Sequence, residues 1–390
     1  MKAQSMPRFE VFPMAPSPVD KSLRRLIYFE TLQFGDSSLW NETSAITLLA
    51  GAGTRWSASL EKARSMLKEG SWIGGAEAPD PALIASFPPD APRGLFPVPD
   101  YIRNMDDTGA AAASPDGAQA STHAPCNIPM AAYAVDAVRK AGRHILVVRG
   151  WEEAIENQIL KPLDLGPALR TDRAPPSSNL HHRERFFTQK TGPDGKVHGH
   201  GDAVLQCRSL WRDARYVITN FGGDANSPLT VILAVHAMAA FDARGIEVGV
   251  VIPAARTEHP AYPVSLDKDG LPAGFWHEKL AGSHAGTIPT DLTNVGIRVY
   301  RADWLDRALS LLHERYFMEG IGWSIPGNDP SAHECALDNV DSLLAEMKVA
   351  RVMPLALSRE LTPLKSLDQY GAFVRAVRAV RLEWKSVQNA

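Results

Sequence analysis

With 390 residues, 45% of them hydrophobic, the chain can bury a sizeable core in one large or two ordinary domains. Its 41 Lys and Arg are matched by 44 Asp and Glu, so no basic excess exists to pair with a phosphate polymer, which argues against nucleic acid as a partner. Cys126, Cys207 and Cys335 lie far apart without CxxC spacing, which argues against a zinc site or disulfide framework and suits a reduced compartment.

Residues 1–40 read as a polar, proline-bearing lead followed by a helix, SPVDKSLRRLIYFETLQF, with Ser17 or Asp20 near its start. No continuous apolar core of a signal peptide is present there, and the expected location is cytoplasmic. The apolar run Ala45 to Ala50 then predicts a buried strand, which breaks into Gly51-Ala52-Gly53-Thr54-Arg55. A strand ending in such small residues offers bare backbone N–H groups to an anion. Arg55 can add bidentate, charge-assisted contacts to phosphate. The turn lacks the Gly-Lys-Ser/Thr ending of a Walker A loop and the third glycine of the dinucleotide fingerprint.

Residues 104–124, rich in Ala, Gly, Ser and Asp without apolar periodicity, predict a surface loop. MAAYAVDAV (130–138) has helical spacing, and HILVVRG (144–150) reads as a strand. A polar, proline-rich connection follows over 167–185. In the next block, 186–206, His198-Gly199-His200-Gly201-Asp202 forms an HxHxD pattern that invites a metallohydrolase reading, although Ala203 stands where the metallo-β-lactamase pattern wants a histidine. Its glycines would equally let backbone approach a ligand closely, and the Gln189 amide offers a donor and an acceptor to one edge of a base.

YVITNFGGD (216–224) predicts a strand ending at Asp224, at the strand end where α/β sheets hold ligands, and a carboxylate there suits Mg²⁺. The most apolar stretch, Leu229 to Ala255, contains His236, Asp242, Arg244 and Glu247, so it reads as a helix (229–241) and a strand (246–253) rather than a membrane span. In 265–282 a polar turn, Asp267 to Gly270, separates two extended pieces ahead of Glu278-Lys279. GIRVY (296–300) predicts a short strand feeding a helix with Asp303 as its N-cap. Past about 336 the chain reads as helical and basic. Strand–helix alternation of this kind predicts an α/β fold, a mostly parallel sheet with helices on both faces.

Taken in order, these motifs resemble the sugar-1-phosphate nucleotidyltransferases, and most closely the UDP-sugar and UDP-glucose pyrophosphorylases. Gly51 to Arg55 resembles their opening Gly-x-Gly-Thr-Arg loop, and Gly199, His200, Gly201 and Asp202 their Gly-His-Gly-Asp loop against nucleoside and sugar. Gln189 is similar to the base-reading glutamine, Asp224 to the metal-binding aspartate, and Glu278 to the glutamate over the sugar hydroxyls. Asn294 resembles the asparagine of an Asn-x-Gly-Ile strand start that meets sugar phosphate or metal, and Lys365 the lysine of a late Pro-x-Lys element reaching the phosphates. The family also expects a lysine after the first loop. Arg93 has the preceding proline and the apolar run after it and is favoured on local pattern although it is arginine, whereas Lys62, with the shorter spacing but no proline, stays open.

The resemblance implies a Rossmann-like mixed sheet of the GT-A type, with an N-terminal helical extension over 1–42, a catalytic domain over 43–335 and a small helical subdomain over 336–390. It further implies NTP and sugar 1-phosphate as substrates, UTP before dTTP or CTP, Mg²⁺ as cofactor, and no nucleic-acid or membrane partner. A catalytically silent ligand-binding member of the same fold is the alternative, with the HxHxD metallohydrolase behind it.

Overall fold

The strand expected from Ala45 spans Thr43–Leu48 (β1) and lies at the centre of a sheet with nine strands among the described residues. The computed structural model describes residues 37–50, 54–72, 78–102, 127–166, 169–170, 183–192, 195–258, 260–275, 290–328, 331, 333–354, 360 and 363–388. The other strands in chain order are β2 (Pro97–Pro99), β3 (Asn127–Pro129), β4 (Arg143–Val148), β5 (Leu169–Arg170), β6 (Glu184–Thr188), β7 (Tyr216–Phe221), β8 (Val250–Arg256), β9 (Val264–Leu266), β10 (Pro272–Phe275), β11 (Leu292–Asn294), β12 (Arg298–Arg301), β13 (Phe317–Met318), β14 (Gly322–Trp323) and β15 (Ala350–Met353). The helices are α1 (Ser37–Asn41), α2 (Thr54–Lys68), α3 (Pro81–Ser86), α4 (Ala131–Ala137), α5 (Glu152–Ile155), α6 (Gly199–Gln206), α7 (Pro228–Ala243), α8 (Ala302–Tyr316), α9 (Leu337–Glu346) and α10 (Tyr370–Gln388).

β1 pairs in parallel with β4 on one side and β7 on the other, with Ile46 opposite Ile145 and Leu48 opposite Phe221. β6 and β5 extend the parallel array beyond β4. Past β7 the direction changes: β12 runs antiparallel to both β7 and β8, β11 is also antiparallel to β8, and β15 pairs in parallel with β8. The chain is therefore an α/β protein with a large, mixed and mostly parallel sheet.

Its central strands are buried on both faces, as near-continuous apolar runs require. Alternate residues enter different cores. Ile46, Ile145, Val147, Val217 and Tyr300 pack with α6, α8 and α9, whereas Leu146 and Val148 pack with α2, α4 and α10 on the other face, where Ile218, Val251 and Val299 meet α7. No helix among the described residues is long and apolar enough to cross a membrane.

Polar residues in β1, β4 and β7 are cross-linked inside this core. Thr47 Oγ1 donates to Asn220 Oδ1 (2.8 Å) and lies 2.8 Å from His144 Nε2, so His144 carries its proton on that nitrogen. Burial lowers the His144 basicity to about 3, which keeps the ring neutral. Asn220 Nδ2 donates to Ala134 O (2.8 Å) and Asn226 Oδ1 (3.3 Å), which ties the turn after β7 to the strands before it.

Three details differ from expectation. The N-cap of α8 is Arg301, and Asp303 sits inside the first turn, where a carboxylate meets the positive end of the helix dipole. The strand expected from Ile246 begins at Val250, because Gly249 lies close against Trp304 and Val349 and donates to Val349 O (2.7 Å). Within 336–390, α9 and α10 flank β15, a strand that forms through pairing with β8. The lead helix before residue 37 and the loop over 104–124 fall outside the described residues.

Candidate functional site

Parallel strands β1 and β7 end side by side, and the turn Gly222-Gly223-Asp224 follows β7. Gly222 N donates to Leu48 O (3.1 Å), and a β-carbon at Gly222 would collide with the Leu49 side chain. One at Gly223 would collide with the Arg93 guanidinium, which lies directly against that backbone. Arg93 reaches the place from a 3₁₀ turn, Arg93–Leu95, whose Leu95 is buried in the adjoining core. Glycine in this turn is thus a condition for a cation to approach the strand ends.

Asp224 is partly buried, and one of its carboxylate oxygens lies against Gly296. Burial raises its pKa to about 6, while the positive charges of Arg93, Lys365 and Arg298 pull the other way. Lys365 approaches from the C-terminal segment. Its ammonium hydrogen-bonds the Tyr262 hydroxyl and stands over that ring, 4.5 Å from the centroid. Tyr262 is fixed by its backbone, since its N–H donates to Thr293 Oγ1 (2.9 Å) and its carbonyl accepts from Asn294 N (3.1 Å). Asn294 Oδ1 accepts from Gly296 N (3.2 Å), closing a tight turn beside Asp224. The buried Asn294 Nδ2 has no hydrogen-bond partner among the described residues.

Arg298 is almost wholly buried. Its Nε donates to Asp341 Oδ2 (2.7 Å) and its Nη2 to Asp338 Oδ1 (2.7 Å), with the guanidinium 5.9 Å from the centre of the Phe221 ring. Tyr300 donates to the other Asp341 oxygen (2.7 Å). His200 packs edge-on to Phe221 at 5.1 Å and accepts Leu337 N–H at Nδ1 (2.8 Å).

The Gly-His-Gly-Asp segment is the first turn of α6 rather than an open loop. It packs on the backbone of 335–337: Gly201 N donates to Cys335 O and Cys335 N to His198 O, each at 2.8 Å. Added β-carbons at Gly199 or Gly201 would collide with Cys335. Asp202 is buried and accepts from Trp323 Nε1 (3.0 Å) and Gln206 Nε2 (2.6 Å), and burial raises its carboxyl pKa. His200 and Asp202 spend their polar atoms on different partners, Leu337 N–H for the first and Trp323 with Gln206 for the second, while the His198 ring lies against Gly322. Among the described residues no group of three or more His, Cys, Asp or Glu is arranged to hold a metal. Gln189, buried at the end of β6, donates from Nε2 to Gly199 O (3.2 Å).

Arg93, Asp224 and Lys365 thus come together at the carboxyl end of the sheet, with Asn294 adjacent through Gly296 and His200 through Phe221. Gln189 and Gly199 to Asp202 form a neighbouring group. Lys62 is exposed on α2 and is not among the cations acting on Asp224. Gly51, Ala52, Gly53 and Glu278 lie outside the described residues, and of Arg55 only the helical backbone is described. Sequence reasoning missed Tyr262, Phe221 and Arg298. For Arg298 the local hint is an arginine inside the apolar stretch Val295 to Tyr300, while the acids that meet it, Asp338 and Asp341, lie about forty residues further on.

Gly296 supports a direct prediction. Its φ of +83° is unfavourable for other residues, and Asp224 occupies the space of a β-carbon. Gly296→Ala should lose about 1–3 kcal/mol of stability, read as a lower midpoint in denaturant, and an unchanged midpoint would show that the turn relaxes freely. No family model matches the chain, and no curated protein matches its sequence.

Proposed function

We propose that the chain is a sugar-1-phosphate nucleotidyltransferase that forms a nucleotide sugar, with UTP the favoured donor, and releases pyrophosphate. The convergence of Arg93, Asp224 and Lys365, drawn from three distant segments in the order the motifs anticipate, carries the reading. A mixed sheet in which β12 opposes its parallel neighbours, with the cluster outside the carboxyl ends of β1 and β7, is the kind of platform on which such a GT-A-like site would be built.

In this reading a sugar-phosphate oxygen attacks the α-phosphorus in line and pyrophosphate leaves. The nucleophile is already ionised at neutral pH, so no general base is needed and catalysis is positioning plus charge neutralisation. Gly51, Ala52 and Gly53 would offer backbone N–H groups to the triphosphate, with Arg55, Arg93 and Lys365 as cationic clamps. Arg93 takes the role left open between it and Lys62, because it stands beside Asp224. Asn294 has a buried amide available for a phosphate or sugar oxygen. Gln189 commits Nε2 to Gly199 and keeps its carbonyl for a base N–H. Uracil and thymine present a ring N–H there and cytosine does not, which favours UTP and dTTP over CTP. Gly199 to Asp202, packed on Cys335, would support the base site by holding Gln189 through Gly199 O, and Glu278 would line the sugar hydroxyls.

The donor chemistry also fits Mg²⁺. One hard carboxylate, Asp224, is what a cation bridging substrate phosphates asks of a protein. Mg²⁺ held there would withdraw charge from the reacting phosphates. The three cations around Asp224 oppose a bare metal ion, so Mg²⁺ and triphosphate should bind together rather than in sequence.

The test is pyrophosphate release from UTP, dTTP and CTP with Mg²⁺ across a panel of sugar 1-phosphates. Release with at least one sugar, and with CTP poorest, is expected. Tight UTP binding without release for any sugar would favour the second reading, a silent nucleotide-sugar-binding member, which arginine in place of the family's lysine at 93 keeps in play.

A further inference from the structure

Glu360 is 2% exposed, and its carboxylate is fully engaged with the start of α7: Oε1 accepts from Ser227 N (2.9 Å) and Oε2 from Thr230 Oγ1 (2.8 Å). Ser227 lies three residues after Asp224. A carboxylate at a helix N-terminus is favoured by the exposed N–H groups and by the helix dipole. From residue 363 the chain lies across the carboxyl ends of the central strands. Leu364 N donates to Gly223 O (3.1 Å), Lys365 N to Gln369 Oε1 (2.9 Å), and Leu367 N to Ser59 Oγ (3.1 Å) on α2, the helix that Thr54 and Arg55 open. Leu364 and Leu367 are buried in the core beneath. Three parts of the candidate site (α2, the Asp224 turn and Lys365) are therefore strapped together by one short segment.

We propose that Glu360 is a positioning residue: by anchoring this strap to the start of α7 it holds the Lys365 ammonium beside Asp224, where a phosphate would bind. The nature of the ligand rests on the nucleotidyltransferase reading; the anchoring of Lys365 does not. An ammonium on a four-carbon stem has much freedom to lose on binding phosphate. Fixing its backbone on both sides, at Gly223 and Ser59, removes part of that cost in advance.

The test is a double-mutant cycle on the full chain, with inorganic pyrophosphate as the probe and calorimetry as the readout. Glu360→Gln keeps the volume and removes the charge, and Thr230→Val removes one of its two donors in case the first variant folds poorly. Each should weaken pyrophosphate binding, Glu360→Gln by about tenfold and Thr230→Val by less. In a Lys365→Ala background the same changes should have little further effect, because the residue they position is gone. Thermal destabilisation should be equal in both backgrounds, which separates positioning from folding. A second readout needs no ligand: acylation of Lys365 followed by mass spectrometry should be severalfold faster in Glu360→Gln, with Lys348 labelled as before. Binding losses that multiply across the cycle, or Lys365 labelling that does not change, would overturn the proposal. Wild-type protein that ignores pyrophosphate while Lys365 labelling still responds to Glu360→Gln would instead remove the nucleotidyltransferase reading and leave the anchor standing.

Discussion

Asp224→Asn should cut turnover by orders of magnitude and stabilise the protein at the same time. Loss of the proposed metal-binding carboxylate should lower kcat by about a thousandfold, since metal neutralisation of transferring phosphates contributes several kcal/mol. The gain in stability follows from linkage. Burial raises the Asp224 pKa to about 6, above the value of 3.8 expected for the unfolded chain. A group shifted upward contributes its stability below the unfolded pKa and loses it as pH rises through the folded pKa. At pH 8 the ionised carboxylate therefore costs the native state on the order of 1–3 kcal/mol, which asparagine removes. Thermal midpoints of the two proteins should lie furthest apart above pH 7 and converge as pH falls towards 4. A variant less stable than wild type at pH 8 would mean that attraction to Arg93, Lys365 and Arg298 outweighs burial, and that Asp224 serves the fold before any ligand.

The order of the elements was readable because local pattern determines it. The apolar runs of β1, β4 and β7 are buried on both faces, and the dense apolar helix at 228–243 and the short strand at 298–301 stand close to where periodicity puts them. Motif order marked Arg93, Asp224 and Lys365, and the turn at Asp267 to Gly270 joins β9 to β10 as expected. What could not be read depends on partners far away in the chain. β15 has no strand pattern of its own and exists because β8 offers a free edge. Gly199 and Gly201 were read as room for a ligand, whereas the atoms that fill that room belong to Cys335. Glu360 looks like any surface acid until Ser227 and Thr230 are seen to donate to it. Arg298 meets Asp338 and Asp341 only because α9 folds back over β12, a contact across about forty residues that single-sequence pattern does not encode.

That buried triad supports the largest stability prediction. Arg298, Asp338 and Asp341 are all nearly inaccessible, so replacing the arginine strands two carboxylates in the core instead of returning them to water. Arg298→Met should cost about 3–5 kcal/mol at pH 8, the usual penalty for breaking a buried pair from one side. Burial already raises the Asp341 pKa, and without its cation the carboxyl would rise further, so the variant can escape part of the penalty by taking up protons. Its deficit relative to wild type should therefore shrink between pH 8 and pH 5, in calorimetry or denaturant melts. The triple variant Arg298→Met, Asp338→Asn, Asp341→Asn should recover most of the loss at every pH, since all three charges leave together. Lysine at 298 should not rescue, because one ammonium cannot reproduce the fork that meets Asp341 through Nε and Asp338 through Nη2. The same arginine acts on Asp224, so its loss should shift the acid limb of any activity profile to higher pH. A deficit that stays constant with pH would show that packing against Phe221, and not charge compensation, is what Arg298 contributes.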